Sequence, residues 1–371
     1  MINWNTFFFL IFCYRCAMTV FATTVVGGLT SLGDSGLYTY AARFDLAETI
    51  DVFINRPRQI STIVTMNIGW VFRTIGLGYD FAGHLGFQTM AFVGIVIFLR
   101  SIEPKLRLIL AVLICLPSFT LWSSLAGKEA VVVFAVAIVC EYVVRLYDGE
   151  VRPKLRHIAA VILIALMKFW YLPAVFCLLG ALIAGRYVRQ KGVLAFMVVG
   201  VSLIVLFLAK DRIVQTALDV PHHFEVTGLT LIQRQSPWDG PDDVFWKAPW
   251  GMFQSFAGPT LDEAKAGVVQ MAAFIESAII ITVLLGFLVL QGLRLPVFSL
   301  IVGAVALAWI LFLTYPLGIM NAGSAIRYRT GYEILVFTCF VIVLSRQSYV
   351  TWLSRTVPRS DPDPPPAPAS P

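Results

Sequence analysis

Charge is the scarcest ingredient of this chain. Of 371 residues only 13% are Asp, Glu, Lys or Arg, against roughly 25% in a soluble domain. A surface wetted on all sides cannot be made from so few, which excludes a soluble protein and leaves one whose outer face meets lipid. Histidine is almost missing, with four residues in all. The one concentration, His222-His223 with Glu225, lacks zinc-ligand spacing, so no metal and no cofactor is expected. The six cysteines (Cys13, Cys16, Cys115, Cys140, Cys177 and Cys339) all fall inside apolar runs, which excludes a disulfide framework. Cys13-x-x-Cys16 has no βαβ context and reads as two small packing residues. No repeat of 20–50 residues is visible, and no inverted pair of broken helices of the kind that builds many transporters. The net charge of +6 lies in short clusters between apolar runs. That is the pattern of cytoplasmic loops rather than of a nucleic-acid surface.

What the chain has is apolar length: 58% hydrophobic residues and a mean hydropathy of +0.80. Runs fit to span a bilayer begin near residues 7, 84, 106, 129, 191, 268, 296 and 328. The first, Phe7 to Leu29, is too long and too lightly charged ahead of its core for a cleaved signal and reads as a span. Arg15 within it must face protein, water or headgroups. Two stretches are ambiguous. Residues 156–185 are long for one span and short for two, with Lys168-Phe169-Trp170-Tyr171 and Pro173 in the middle. Residues 60–77 carry Asn67 and Arg73.

Positive charge arbitrates. If Arg100/Lys105/Arg107, Arg145/Arg152/Lys154/Arg156, Arg186/Arg189/Lys191, Arg294 and the tail arginines Arg346, Arg355 and Arg359 are all cytoplasmic, one hairpin must separate each neighbouring pair. Residues 156–185 are then a short helical hairpin, and 60–77 lies on the outer side without crossing. The expectation is an all-α polytopic transmembrane helical bundle of about 10–11 spans with outer-face interfacial helices. It occupies residues 1–346, with outer loops 30–83 and 209–267 and both termini cytoplasmic; if 60–77 crosses, the N-terminus flips outside. Residues 347–371 form a proline-rich cytoplasmic tail with nothing apolar to bury.

Four polar features collect on the outer side. Segment 33–58 has a helical apolar period through Leu37, Tyr40, Phe44, Ala47 and Ile50, with Asp34 and Tyr38 at its entry. Asp34 or Ser35 there caps the helix, a role that can coexist with a functional one for Asp34. In the turn Pro117-Ser118…Trp122-Ser123…Lys128-Glu129, Glu129 suits the start of a helix. Lys128 opposes the helix dipole, so it either snorkels to headgroups or serves an anion. The 209–267 loop carries Trp238, Trp246 and Trp250, rings that suit sugars and also the interfacial aromatic belt. Arg327-Tyr328-Arg329 runs against the positive-inside bias and reads as an anion site, since the planar guanidinium fork fits phosphate.

Together, Gly-Asp-Ser-Gly-x-Tyr after the first span, the 117–129 turn and Arg327-Tyr328-Arg329 resemble the polytopic glycan enzymes of bacterial envelopes: class-C glycosyltransferases and polysaccharide polymerases of the O-antigen polymerase type. The resemblance implies a multi-pass inner-membrane enzyme acting at the outer face on a polyprenyl-phosphate-linked sugar, without nucleic acid, with a polysaccharide assembly or export complex as its partner. It implies Asp34 as catalytic base and Lys128, Glu129, Arg327, Arg329 and Tyr38 as substrate-binding residues. Class-C enzymes often carry paired acidic residues in the first loop; here Ser35 follows Asp34. The alternatives are a transporter or flippase for lipid-linked glycans, and a non-catalytic membrane subunit of a glycan assembly complex.

Overall fold

A computed structural model describes residues 3–27, 35–40, 43–227, 238–291 and 297–344, and every regular element among them is helical. In lipid each peptide N–H and C=O must be satisfied within its own segment, so long apolar runs fold as helices. Helix α1 (Trp4–Phe21) starts where the Asn3 side chain accepts from the N–H groups of Asn5 and Thr6, and it ends in a π-helical turn, Ala22–Val26. Three pieces follow: α2 (Ser35–Thr39), α3 (Leu46–Asn55) and α4 (Ile60–Ile75). The apolar period from Leu37 to Ile50 predicts one helix there, but the chain breaks. Asp45 caps α3 by accepting the Glu48 N–H at 3.0 Å, a side-chain bond that competes with continuing the helix.

Next come α5 (Asp80–Arg100), α6 (Pro104–Ile114), α7 (Pro117–Ser124) and α8 (Lys128–Asp148). Pro117 cannot continue α6 but can open a new helix; the two axes are bent by 74°. The chain continues through α9 (Leu155–Lys168), α10 (Leu172–Tyr187) and α11 (Lys191–Thr227). Helix α12 (Ala248–Ala257), α13 (Val268–Gln291), α14 (Val297–Ile319) and α15 (Ala322–Leu344) complete it.

The basic clusters meet at one end of the bundle. The Arg107 guanidinium lies 4.6 Å from the centre of the Trp4 ring, and Arg100 reaches Asn5 Oδ1 at 3.5 Å. Buried Glu141 accepts from Arg156 at 2.7 Å, meets His157 Nε2 at 2.7 Å and pairs with Arg145. Arg186 donates to the Leu146 carbonyl at 2.9 Å, and the Tyr147 and Ser299 hydroxyls meet at 3.4 Å.

These contacts decide both ambiguous stretches. Arg156 and His157 touch Glu141 near one end of α8, Lys168 lies 3.9 Å from Glu129 at the other, and Arg186 is back beside Leu146. Residues 155–187 therefore go up and return: a hairpin. Helix α4 has Thr62 bonded to Lys128 and Arg73 paired with Asp80 at 3.3 Å, both at the starts of descending helices. It lies across the end opposite the basic clusters and does not cross. Seven stretches are long and apolar enough to span a membrane, and the bent α6–α7 pair is an eighth. With the hairpin traversing twice and α15 once more, the described residues run ten times between the two ends, and Asn3 and Leu344 share the basic end. The chain is an all-α, multi-pass membrane bundle.

Helix α8 is the axle. Of its window fit to span, 89% is buried, against 11% for α11, whose surface is left to lipid. It packs against α5 with almost nothing between the backbones. A Cβ on Gly94 would sit 2.9 Å from both the Cα and the carbonyl oxygen of Phe134, atoms that cannot rotate away. Gly94→Ala is therefore expected to destabilise the bundle by about 1–3 kcal/mol, the usual cost of overpacking. An unchanged melting temperature in detergent would show that α5 and α8 approach less closely.

Candidate functional site

The end opposite the basic clusters brings together Lys128, Glu129 and Arg327 of the residues singled out from sequence. Gly127, in extended backbone, ends the α7–α8 link and opens α8 with Lys128 and Glu129. Helix α9 ends at Lys168, where a 3-10 turn, Phe169–Tyr171, reverses the chain. Asn321 opens α15 by accepting the N–H groups of Gly323 and Ser324, which sets Arg327 in the second turn.

These three helix ends converge on one carboxylate. Glu129 Oε1 lies 3.1 Å from Arg327 Nε, and Oε2 accepts from Arg327 Nη2 at 3.3 Å. The pair is held by one hydrogen bond, from Nη2, with Nε close enough to add to the ionic attraction. Lys168 Nζ stands 3.9 Å from Glu129 Oε1. Glu129 and Lys168 expose only 4% and 6% of their side chains, Arg327 20%. Lys128 Nζ donates to Thr62 Oγ1 of α4 at 2.8 Å. Aromatic rings wall the group. Lys168 Nζ is 4.4 Å from the Tyr328 ring and 5.2 Å from Trp170, and Arg327 lies 5.6 Å from Trp122. Such faces favour cations in a poorly solvated place. Two cations, Lys168 and Arg327, thus share one carboxylate, and Lys128, one residue before it, is held by Thr62.

Arg329 goes elsewhere. It is 1% exposed and donates to the Phe256 carbonyl at 3.0 Å, Ser277 Oγ at 2.6 Å and Ser118 Oγ at 3.2 Å, with Glu333 3.9 Å from its Nε. Glu276 accepts the Ser118 N–H at 2.9 Å, at the open start of α7, where the helix dipole favours a carboxylate. Arg327 and Arg329, read from sequence as one anion site, point apart in the structure. The helix begins at Ala322, not near residue 328, and residues two apart on a helix do not face each other. Arg327 turns to the end of the bundle and Arg329 into its interior.

Tyr38 is buried, on α2 where that helix packs against α4 and α5. Asp34 lies outside the described residues, as do the side chains of His222, His223 and Glu225, and Arg294 and the tail. Among the described residues no cluster of three or more His, Cys, Asp or Glu could hold a metal ion. Trp238 is buried against Tyr315, while Trp246 and Trp250 are exposed. Beside them Lys247 bonds Asp239 at 3.1 Å and Asp243 at 2.8 Å, and holds the Asp243 carboxyl below its ordinary range. A carboxylate so depressed keeps its stabilisation at neutral pH and loses it only as pH falls through the lowered value.

Sequence reasoning singled out Lys168 as the turn of a hairpin but not as part of the site; its neighbours Trp170 and Tyr171 were the available signal. Comparison with known proteins finds no matching family model, no matching curated protein and no matching solved structure.

Proposed function

We propose that the protein is a membrane glycosyltransferase of the polysaccharide-polymerase type. It takes sugars from polyprenyl-phosphate carriers at the outer face of the bacterial inner membrane, with both termini cytoplasmic. The observation that carries the reading is the surplus of cations at one end of an apolar bundle: Lys168 and Arg327 share the Glu129 carboxylate, walled by Trp122, Trp170 and Tyr328, and Lys128 precedes it on the same helix end. Glu129 neutralises one of the three. The remaining positive charge suits a phosphate leaving group, whose developing charge must be stabilised where water is scarce.

In the proposed step an acceptor hydroxyl oxygen bonds to the anomeric carbon of the donor sugar and gives its proton to Asp34. The bond from that carbon to the phosphate oxygen breaks, and the phosphate leaves with the electron pair toward Arg327 and Lys128. Trp246 and Trp250, exposed on the α12 side of the same end, offer faces for sugar rings.

Reconstitution in liposomes with a lipid-linked oligosaccharide tests this. A ladder of products is expected from the wild type, and none from Asp34→Asn or Arg327→Ala, each folded. Ladder formation by Asp34→Asn would remove the base from the scheme, and a single added sugar would make the protein a transferase rather than a polymerase. A second reading, transport of the lipid-linked glycan, is favoured by the 74° break between α6 and α7 and by Arg15, Glu276 and Glu333 buried within the bundle. Translocation without chemistry in the same liposomes supports it. Product only in the presence of other envelope proteins supports a non-catalytic subunit.

A further inference from the structure

Arg15 is the midpoint of the Trp4–Val26 span and is completely buried. Its level is fixed from two sides. One residue on, Cys16 Sγ accepts from Gln88 Nε2 at 3.6 Å, and one turn below, the Phe12 and Phe92 rings pack at 5.3 Å. Both partners are on α5 and well inside its ends.

The guanidinium is half satisfied. Nη2 donates to the carbonyl of Ser123 at 3.2 Å and to its hydroxyl at 3.0 Å. Nε and Nη1 have no hydrogen-bond partner. No carboxylate among the described residues forms an ion pair with Arg15, although Glu129, Glu141 and Glu333 each have a cation. Two acceptors on the helices packed against α1 are also without partners: Gln88 Oε1 on α5 and Ser124 Oγ on α7. A permanent charge in an apolar interior is tolerated only when paired or hydrogen-bonded, and arginine cannot shed its proton to escape. Among the described residues the buried Glu129, Glu141, Lys168, Arg329 and Glu333 each stand within 4 Å of an opposite charge, and Glu276 accepts a backbone N–H; Arg15 has two of its three nitrogens unpartnered.

We propose that Arg15 is an anion-binding residue whose ligand is the phosphate group of an amphiphile, reached between α1 and α7. Three features select that class. The unpartnered Nε and Nη1 leave donors on either side of the bonded Nη2, so a charged oxygen can be taken up on either flank of the guanidinium. The hydroxyl of Ser124 adds a third donor. The site lies at the middle of a span, so an apolar chain in the bilayer can bring its charged end there. From Ser123 and Ser124 the chain needs only Leu125–Gly127 to reach Lys128, so the Arg15 site adjoins the cation cluster. That the amphiphile is a sugar carrier rests on the function proposed above; that the ligand is a phosphate on an apolar chain does not.

The test uses full-length protein in phosphatidylcholine vesicles containing either a polyprenyl monophosphate or the uncharged polyprenol, with lipid retained after detergent extraction measured by mass spectrometry. Wild type is expected to retain the monophosphate and not the alcohol. Arg15→Gln is expected to weaken retention at least tenfold, with Arg15→Lys in between, since an ammonium keeps the charge but not the spread of donors around the guanidinium. Ser124→Ala, which removes one hydroxyl and leaves the buried charge in place, is expected to weaken retention several-fold and carries the test if Arg15→Gln does not fold. Equal retention by the wild type, Arg15→Gln and Ser124→Ala overturns the proposal, and so does equal retention of phosphate and alcohol. Saturation by millimolar inorganic phosphate with no lipid retained assigns a free anion instead and overturns the amphiphile. Retention through Arg15 with no sugar transferred leaves this inference standing and removes the enzyme; sugar transfer unaffected in Arg15→Gln does the reverse.

Discussion

Glu129→Gln is expected to lower the stability of the folded protein by about 3–5 kcal/mol, the cost of breaking a buried ion pair from one side. The carboxylate is the shared counter-charge of Arg327, at 3.1 Å, and Lys168, at 3.9 Å. Amide in its place leaves two cations facing each other. Lys168 is too buried to swing into water, and its aromatic neighbours Tyr328 and Trp170 return only part of the loss. Glu129 also ties the N-terminus of α8 to α9 and α15, so the damage falls where three helices meet. Thermal unfolding of the detergent-solubilised protein measures the effect. The double variant Glu129→Gln with Lys168→Met is expected to recover much of the loss, because the second change removes the charge left stranded. A single variant that melts with the wild type would mean that Glu129 is not the counter-charge, and the cation surplus on which the functional reading stands would have to be recounted.

Arg329→Met is expected to be as severe, for a different reason. Arg329 is the cation beside Glu333 and the donor that joins Ser118 of α7, Ser277 of α13 and the end of α12. Without it the Ser277 and Ser118 hydroxyls lose a donor, and Glu333, whose carboxylate oxygens have no hydrogen-bond partner, loses its charge partner. Removal of one member of such a buried pair costs about 3–5 kcal/mol, while replacing both members with apolar groups is often neutral. Arg329→Met with Glu333→Met should therefore be more stable than Arg329→Met alone, by melting temperature. If the double variant is folded and still makes product, Arg329 holds the bundle together and does not touch substrate. Product lost from a stable double variant returns it to the binding site.

Most of the traverses were legible because lipid imposes length and apolarity on each segment separately. The hairpin at 155–187 was legible for a subtler reason: basic clusters on both sides of it can share one face only if the chain returns. The divergence of Arg327 and Arg329 depended on where α15 begins. Asn321 and Gly323 carry that signal weakly, since a helix start six residues earlier turns a pair into opposites. The partners of the buried charges were not legible at all. Arg15 and Ser123 are 108 residues apart, and Arg327 and Glu129 are 198 apart; a single sequence gives no rule for joining them. Asp34, chosen by its place in a motif, is a chemical suggestion whose geometry lies outside the described residues.

The hairpin also acts on the membrane itself. Helix α9 has 14 residues and α10 has 16, which at 1.5 Å per residue gives about 21 and 24 Å, well short of a hydrocarbon layer of roughly 30 Å. Ile158, Ile162 and Phe176 are exposed along them, so acyl chains must meet these helices. A bilayer that thins to match helices this short brings the headgroups bordering Lys168 toward the bundle's middle. A charged headgroup there need not climb out of its own layer to reach the cations: the short helices lower the water surface to the level of the site.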